Sequence, residues 1–170
     1  VGYAFIPKSL SLDAYKYIFA DPLVIGRAYG ITIFNAVVGT VAGILAVSLY
    51  AYSLTIENYK FRKFFTYYML VTMLFNGGMV ASYIINTRVL YLGNTVWIMI
   101  LPLLFNAWNV VIMRTFIQTS VPKAVIESAK IDGATEWRTF FKIVMPMSVP
   151  GIASVSFFIL LAIWNDWNLP

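Results

Sequence analysis

Residues 28–56 read AYGITIFNAVVGTVAGILAVSLYAYSLTI, 29 positions without an Asp, Glu, Lys or Arg. A helix rises ~1.5 Å per residue, so ~20 residues cross the ~30 Å hydrocarbon core of a bilayer. A charge at mid-membrane costs about 2.5–3.5 kcal/mol on insertion scales, while a Leu, Ile, Val or Phe there contributes only about 0.3–0.6 in return. A charge-free run of this length therefore predicts a spanning helix rather than a buried helix of a soluble core. Three more such runs follow at 64–87, 89–113 and 143–165, of 24, 25 and 23 residues. The fold class this predicts is all-α, a polytopic transmembrane helical bundle.

Composition agrees. Hydrophobic residues make up 61% of the chain and charged residues 11%, against about 25% charged in soluble domains. Cysteine and histidine are both absent. That excludes disulfides, metal sites of the His/Cys kind and nucleophile–histidine catalysis, and the chain reads as a non-enzyme. The net charge of +5 is not gathered into basic runs with interleaved aromatics, so nucleic acid is not an expected partner.

Lys and Arg orient the spans. Lys60, Arg62, Lys63, Arg114, Lys123, Lys130, Arg138 and Lys142 fall on one side, and Lys8, Lys16, Arg27 and Arg88 on the other. The richer side is expected to be cytoplasmic. Residues 1–27 then form an extracytoplasmic segment, 28–165 a transmembrane domain with a cytoplasmic loop at 114–146, and 166–170 the start of another outer loop. Residues 1–27 show no secretory pattern, so Ser11 to Pro22 would need an earlier span to reach the outside. The chain reads as a fragment, with a helix expected on either side of it.

Gly39 and Gly43 form a GxxxG flanked by Ala36 and Ala46, either a close-packing face or a chance product of common small residues. The second run is interrupted by Asn76-Gly77-Gly78, and the third contains Pro102, Asn106 and Asn109. Gly costs ~1 kcal/mol and Pro ~3 in a helix interior, so broken or kinked helices are expected there. Such breaks line polar cavities in transporters. Hydrogen bonding between helices explains the asparagines equally well.

Residues 114–142 are too polar to span and too patterned to be a plain connector. Ser120 is expected to cap a helix with Pro122 in its first turn, placing Val121, Val125 and Ala129 on one face. Asp132-Gly133 should end it. A second short helix then places Trp137, Phe140, Phe141 and Val144 on one face, and Pro146 and Pro150 bend the chain into the fourth span. Two amphipathic helices of this kind suit either the lipid interface or a groove on a partner.

The run Glu127-Ser128-Ala129-Lys130-Ile131-Asp132-Gly133-Ala134, followed by Phe141, Ile143, Pro146 and Pro150, resembles the EAA signature of ABC importer permeases, with Ser128 in place of the usual second Ala. Trp164-Asn165-Asp166-Trp167 resembles the WND element of the carbohydrate-uptake branch. Asn94-Thr95 and Met113-Arg114-Thr115-Phe116 fit as well, and Phe75-Asn76-Gly77-Gly78 is closest to a branch associated with complex oligosaccharides. The resemblance covers essentially the whole chain. It implies about four of the six spans of a type I, maltose-permease-like subunit in a bacterial inner membrane.

What the resemblance implies can be stated by residue. Glu127, Ser128, Ala129, Asp132, Gly133, Ala134, Phe141, Ile143 and Pro146 would couple the membrane domain to a cytoplasmic P-loop ATPase. Asn76, Asn106, Asn109, Trp164, Asn165, Asp166 and Trp167 would line or gate a substrate pathway; an interfacial aromatic belt is the other explanation of the tryptophans. The remaining partners would be a second permease subunit, an extracytoplasmic solute-binding protein and the bilayer. The chain has no GxxxxGK[ST] loop, so ATP and magnesium would sit on the ATPase. A secondary transporter coupled to an ion gradient would need intramembrane carboxylates, and the four runs contain none. An ABC importer for a non-sugar solute would share the loop but not the WND element.

Overall fold

The structure, a computed structural model, describes residues 12, 15, 16 and 19–166. Trp167, with 168–170 and residues 1–11, 13, 14, 17 and 18 of the expected outer segment 1–27, lies outside the described residues. The fold is all-α. Contacts divide the chain into two units, 1–34 and 35–170, and helix α1 (Pro22–Ser53) is the element that carries the chain from one into the other.

α1 is 32 residues long and apolar enough by itself to cross a membrane, with an 18-residue stretch whose mean hydropathy is 2.0. The remaining runs form bent pairs, so the described residues hold one such helix, or up to four spans if each bent pair counts as one. The first pair is α2 (Arg62–Leu74) and α3 (Gly78–Ile84), which continues through a π-helical turn to Val89; the two halves meet at 117°. Gly78 at φ +78° takes the chain into the left-handed region, where a residue lacking Cβ is unstrained. The Asn76 side chain accepts from Gly78 N at 2.9 Å, closing an Asx turn that holds the corner. The break expected from the sequence is thus a fold-back rather than a kink.

The second pair is α4 (Trp97–Ile100), with its 3₁₀ turn Leu101–Leu103, and α5 (Ala107–Ser120), bent by 53°. Pro102 sits in the tight turn, and Asn106 caps α5, accepting from Trp108 N at 2.8 Å. The chain continues through α6 (Lys123–Ile131), α7 (Glu136–Thr139), a π-helical turn at Phe140–Val144 and α8 (Met145–Met147). It then turns 84° into α9 (Val149–Trp164).

The fourth apolar run therefore does not form one straight helix. Residues 143–147 belong to the segment before the corner at Ser148, and α9 keeps 16 residues.

Lipid supplies no hydrophobic drive for helices to associate, so close backbone packing has to hold the bundle together. The GxxxG of α1 provides it. A Cβ on Gly39 would stand 2.5 Å from Ile163 Cδ1, and one on Gly43 would stand 3.2 Å from both Ile159 Cγ2 and the Leu104 carbonyl oxygen. α9 seats against α5 in the same way, since a Cβ on Gly151 would meet the Phe116 side chain at 2.6 Å. Val47, Val110, Met113, Val144 and Val155 fill the resulting core. Val37, Val41, Phe157 and Phe158 are exposed on the outer surface of these helices, as expected of residues that face acyl chains.

Candidate functional site

The stretch between α5 and α9 forms an elbow whose two arms are built by local chemistry. Pro122 disfavours helical backbone in the residue before it, and Val121 is extended at φ −111°, ψ 105°. α5 consequently ends at Ser120, and α6 starts at Lys123 with Pro122 in the capping position. Ser120 is therefore the last residue of one helix rather than the cap of the next. Val121 and Ala129 are buried and Val125 is half-buried, so the apolar face of α6 is the expected one.

Gly133, at φ +77°, ends α6. Ala134 N donates to the Ala129 carbonyl at 2.9 Å and Gly133 N to that of Lys130 at 3.1 Å. This is the Schellman pairing, which satisfies carbonyls that a helix end would otherwise leave free. The side chain of Thr135 then accepts from Arg138 N at 3.3 Å and starts α7. Glu127, Ser128, Asp132 and Gly133 are all exposed on this elbow, while Ala134 and Ile143 are half-buried and Pro146 is exposed.

The aromatic face of the second arm divides in two. Phe140 and Val144 are buried at 1% and 0% exposure, whereas Trp137 and Phe141 are 64% and 49% exposed. Straight α-helical spacing would put all four together; the π-helical turn at Phe140–Val144 adds a residue to the repeat and rotates Phe141 away from the core. Trp137 and Phe141 instead stack on each other at 6.1 Å and 13°, leaving an aromatic plate on the outside of the elbow.

Three residues that motif reading did not single out hold the elbow in place. Glu136 accepts from the Tyr52 hydroxyl at 2.6 Å through Oε2 and pairs with Lys130 Nζ at 2.9 Å through Oε1. One carboxylate thus ties α7 to α6 and to the end of α1. Partial burial alone would raise the Glu136 pKa, but the hydrogen bonds from Lys130 and Tyr52 outweigh it and hold the carboxyl below its ordinary value. Nearby, Glu57 pairs with Lys123, and the Lys123 hydrogen bond lowers the Glu57 pKa. The Glu57–Lys123 pair and Lys130 border a cleft of about 190 Å³ that Tyr52, Ile126 and Glu127 also line. Tyr52 is the last polar-tipped aromatic of the first apolar run, and its position there was the one available signal.

The residues assigned to a pathway separate into two groups. Asn76 and Asp166 line one cavity of about 860 Å³, together with Ser82, Tyr83, Asn86 and Pro102. Asn86 was missed because it closes a charge-free run without any helix-breaking neighbour. Asn106, Asn109, Trp164 and Asn165 do not line that cavity. Asn106 is occupied as a helix cap, Asn109 is buried and Trp164 is exposed. Asn165 Nδ2 donates to the Leu161 carbonyl at 3.0 Å, finishing α9.

Comparison with known proteins bears on both places. The sequence model of a family described as "Binding-protein-dependent transport system inner membrane component" matches residues 39–167, a range that includes the elbow and the residues lining the cavity. Protein LplC of Bacillus subtilis is 39% identical over 161 residues, covering 95% of this chain and 54% of LplC. The polygalacturonan/rhamnogalacturonan transport system permease protein YtcP, also of Bacillus subtilis, is 38% identical over 162 residues, covering 95% of this chain and 56% of YtcP. The chain therefore spans little more than half the length of these curated relatives. Among solved structures, a bacterial ABC transporter involved in importing the acidic polysaccharide alginate superposes with a TM-score of 0.83 at 26% identity, over 98% of this chain and 59% of the other.

Proposed function

Because this chain belongs to the family of binding-protein-dependent transport system inner membrane components, we propose that its elbow is the part that receives force from a separate ATPase. The observation that carries the proposal is the Gly133 corner. It presents Glu127 and Asp132 to solvent, while Glu136, three residues beyond Gly133, ties the same corner to α1. A corner tied directly to α1 passes on any push it receives. When a partner groove shifts it, the displacement passes through Tyr52 to α1 and through the 84° corner to α9.

In this reading the elbow faces the cytoplasm and its carboxylates meet basic groups on a P-loop ATPase. ATP and magnesium are bound there, on another polypeptide. A second permease subunit completes the membrane domain, and an extracytoplasmic solute-binding protein delivers substrate to the end at which Asp166 stands. The protein is then a transport subunit of a bacterial inner membrane, without catalytic residues of its own.

The substrate we infer is a carbohydrate, most specifically an oligosaccharide. The substrates named for YtcP and for the alginate importer support the carbohydrate class. The cavity lined by Asn76, Asn86 and Tyr83 also offers the amide and aromatic surfaces that suit sugar hydroxyls and ring faces.

Gly133→Leu tests this coupling. Its φ of +77° is strained for any residue with a Cβ. The full-length protein with its partners, reconstituted in vesicles, should keep membrane insertion and lose the link between ATP hydrolysis and uptake. Full uptake by the variant would refute the assignment.

A further inference from the structure

A second cleft lies beside the elbow and takes no part in it. About 480 Å³ in volume, it is lined by Lys60, Arg62, Lys63 and Arg114, with Tyr67 and a single carboxylate, that of Glu57. Glu57 is already neutralised by Lys123. Among the described residues none of the four cations forms an ion pair with a carboxylate, and Arg114 Nε is buried without a hydrogen-bond partner. These four cations share one carboxylate, Glu57, which is already paired with Lys123, and such an excess of like charge is costly, increasingly so as water is withdrawn. The N-terminal turn of α2, which has no side-chain cap, borders the same space and adds the positive end of its helix dipole.

Depth identifies the anion. Arg62 opens α2, and the charge-free run begins two residues later at Phe64. The cations therefore stand where the polar loop becomes membrane helix. Phe61, Phe64 and Tyr67 are exposed around them, as aromatics are at the headgroup level. Beyond the cleft α2 exposes Leu70, Val71 and Leu74, a surface for acyl chains. We propose that this cleft binds the phosphate of an anionic phospholipid, with Arg62 and Arg114 as its principal ligands and Lys60 and Lys63 at the rim. The assignment needs α2 to enter a bilayer at Arg62 but does not depend on the coupling role of the elbow, so either can fail without the other.

The test is lipid retention by the full-length protein, purified with its transporter partners into nanodiscs of mixed phosphatidylcholine and phosphatidylglycerol and read by native mass spectrometry. Phosphatidylglycerol should be enriched among the retained lipids, and the enrichment should fall with rising salt. Each cation removed should lower it about fivefold, so Arg62→Gln with Arg114→Gln should lower it about twenty-five-fold. Arg62→Lys with Arg114→Lys, which keeps the charge, should preserve most of it and guards against misfolding of the glutamine pair. Arg88→Gln, outside the cleft, should have no effect. Equal retention of the two lipids, insensitivity to salt, or the same loss in Arg88→Gln would overturn the proposal. So would binding of inorganic phosphate in discs of phosphatidylcholine alone without any preference for phosphatidylglycerol, which would assign the cleft to a free anion.

Discussion

The Tyr52 hydroxyl donates to Glu136 Oε2 at 2.6 Å across 84 residues of sequence. This bond joins the end of the longest helix to the arm of the elbow that the neighbouring Lys130 also grips. Tyr52 Phe140 ring contact at 5.4 Å adds apolar support directly beneath it. The elbow is thus fixed to the bundle beside its Gly133 corner.

Tyr52→Phe removes the donor and leaves the ring in place. A hydrogen bond to a charged group contributes about 1.5–3 kcal/mol, and partial exposure of Glu136 places the expected loss near the bottom of that range. Thermal melting of the purified protein should move down by a few degrees, and ATP hydrolysis should become less responsive to substrate. An unchanged melt with unchanged coupling would mean that the bond does not anchor the elbow.

The Glu136 anchor carries a pH signature. Its folded-state pKa lies below the ordinary value of 4.5, held there by Lys130 and Tyr52 against the opposing effect of burial. A depressed carboxyl contributes stability that is complete above the unfolded-state pKa and is lost as pH falls through the folded-state value. Limited proteolysis of the 123–144 segment should therefore be flat from neutral pH down to about the ordinary carboxylate range and rise below it. Glu136→Gln should be cleaved faster at neutral pH and show a much weaker acid rise. An acid rise of the same size in the glutamine variant would assign it to another group.

Gly39 and Gly43 should respond differently to substitution. The atom facing Gly39 is the terminal Cδ1 of Ile163, which can rotate aside, whereas Gly43 faces the Leu104 backbone carbonyl as well as Ile159. Gly39→Ala gains up to about 1 kcal/mol of helix propensity and should be near neutral overall. Gly43→Leu should cost about 1–3 kcal/mol through overpacking, seen as a lower melting temperature and poorer assembly in detergent. Equal effects at the two sites would contradict the packing described for α1 and α9.

Much of this architecture is legible in the sequence because the bilayer penalises charge so heavily. The four runs free of Asp, Glu, Lys and Arg fall on the one helix long and apolar enough to cross a membrane by itself and on three bent helix pairs. Gly133 and the residues before it mark the corner of the elbow, since only a residue without Cβ takes that backbone without strain. What stayed hidden depends on geometry that spacing does not encode. Asn76-Gly77-Gly78 announces that a helix stops, but the 117° fold-back follows from the positive φ of Gly78. The π-helical turn at Phe140–Val144 separates Phe141 from Phe140 despite their helical pattern. Ser120 satisfies the composition rule for a cap, yet the constraint that Pro122 imposes on Val121 overrides it. The Tyr52, Lys130 and Glu136 cluster joins three helices, and no local motif describes a contact between residues so far apart.

The most direct measurement is a crosslink from the elbow to the proposed ATPase partner. The chain contains no cysteine, so Ser128→Cys, exposed on α6, introduces a single thiol within it. A thiol-directed photocrosslinker carried at that position, in the full-length protein in native membranes, should capture a polypeptide that binds ATP and carries a P-loop, and the yield should change between nucleotide-free and ATP-bound states. Labelling of the same thiol from the outside of intact cells by a membrane-impermeant reagent, with no ATPase captured, would contradict the account.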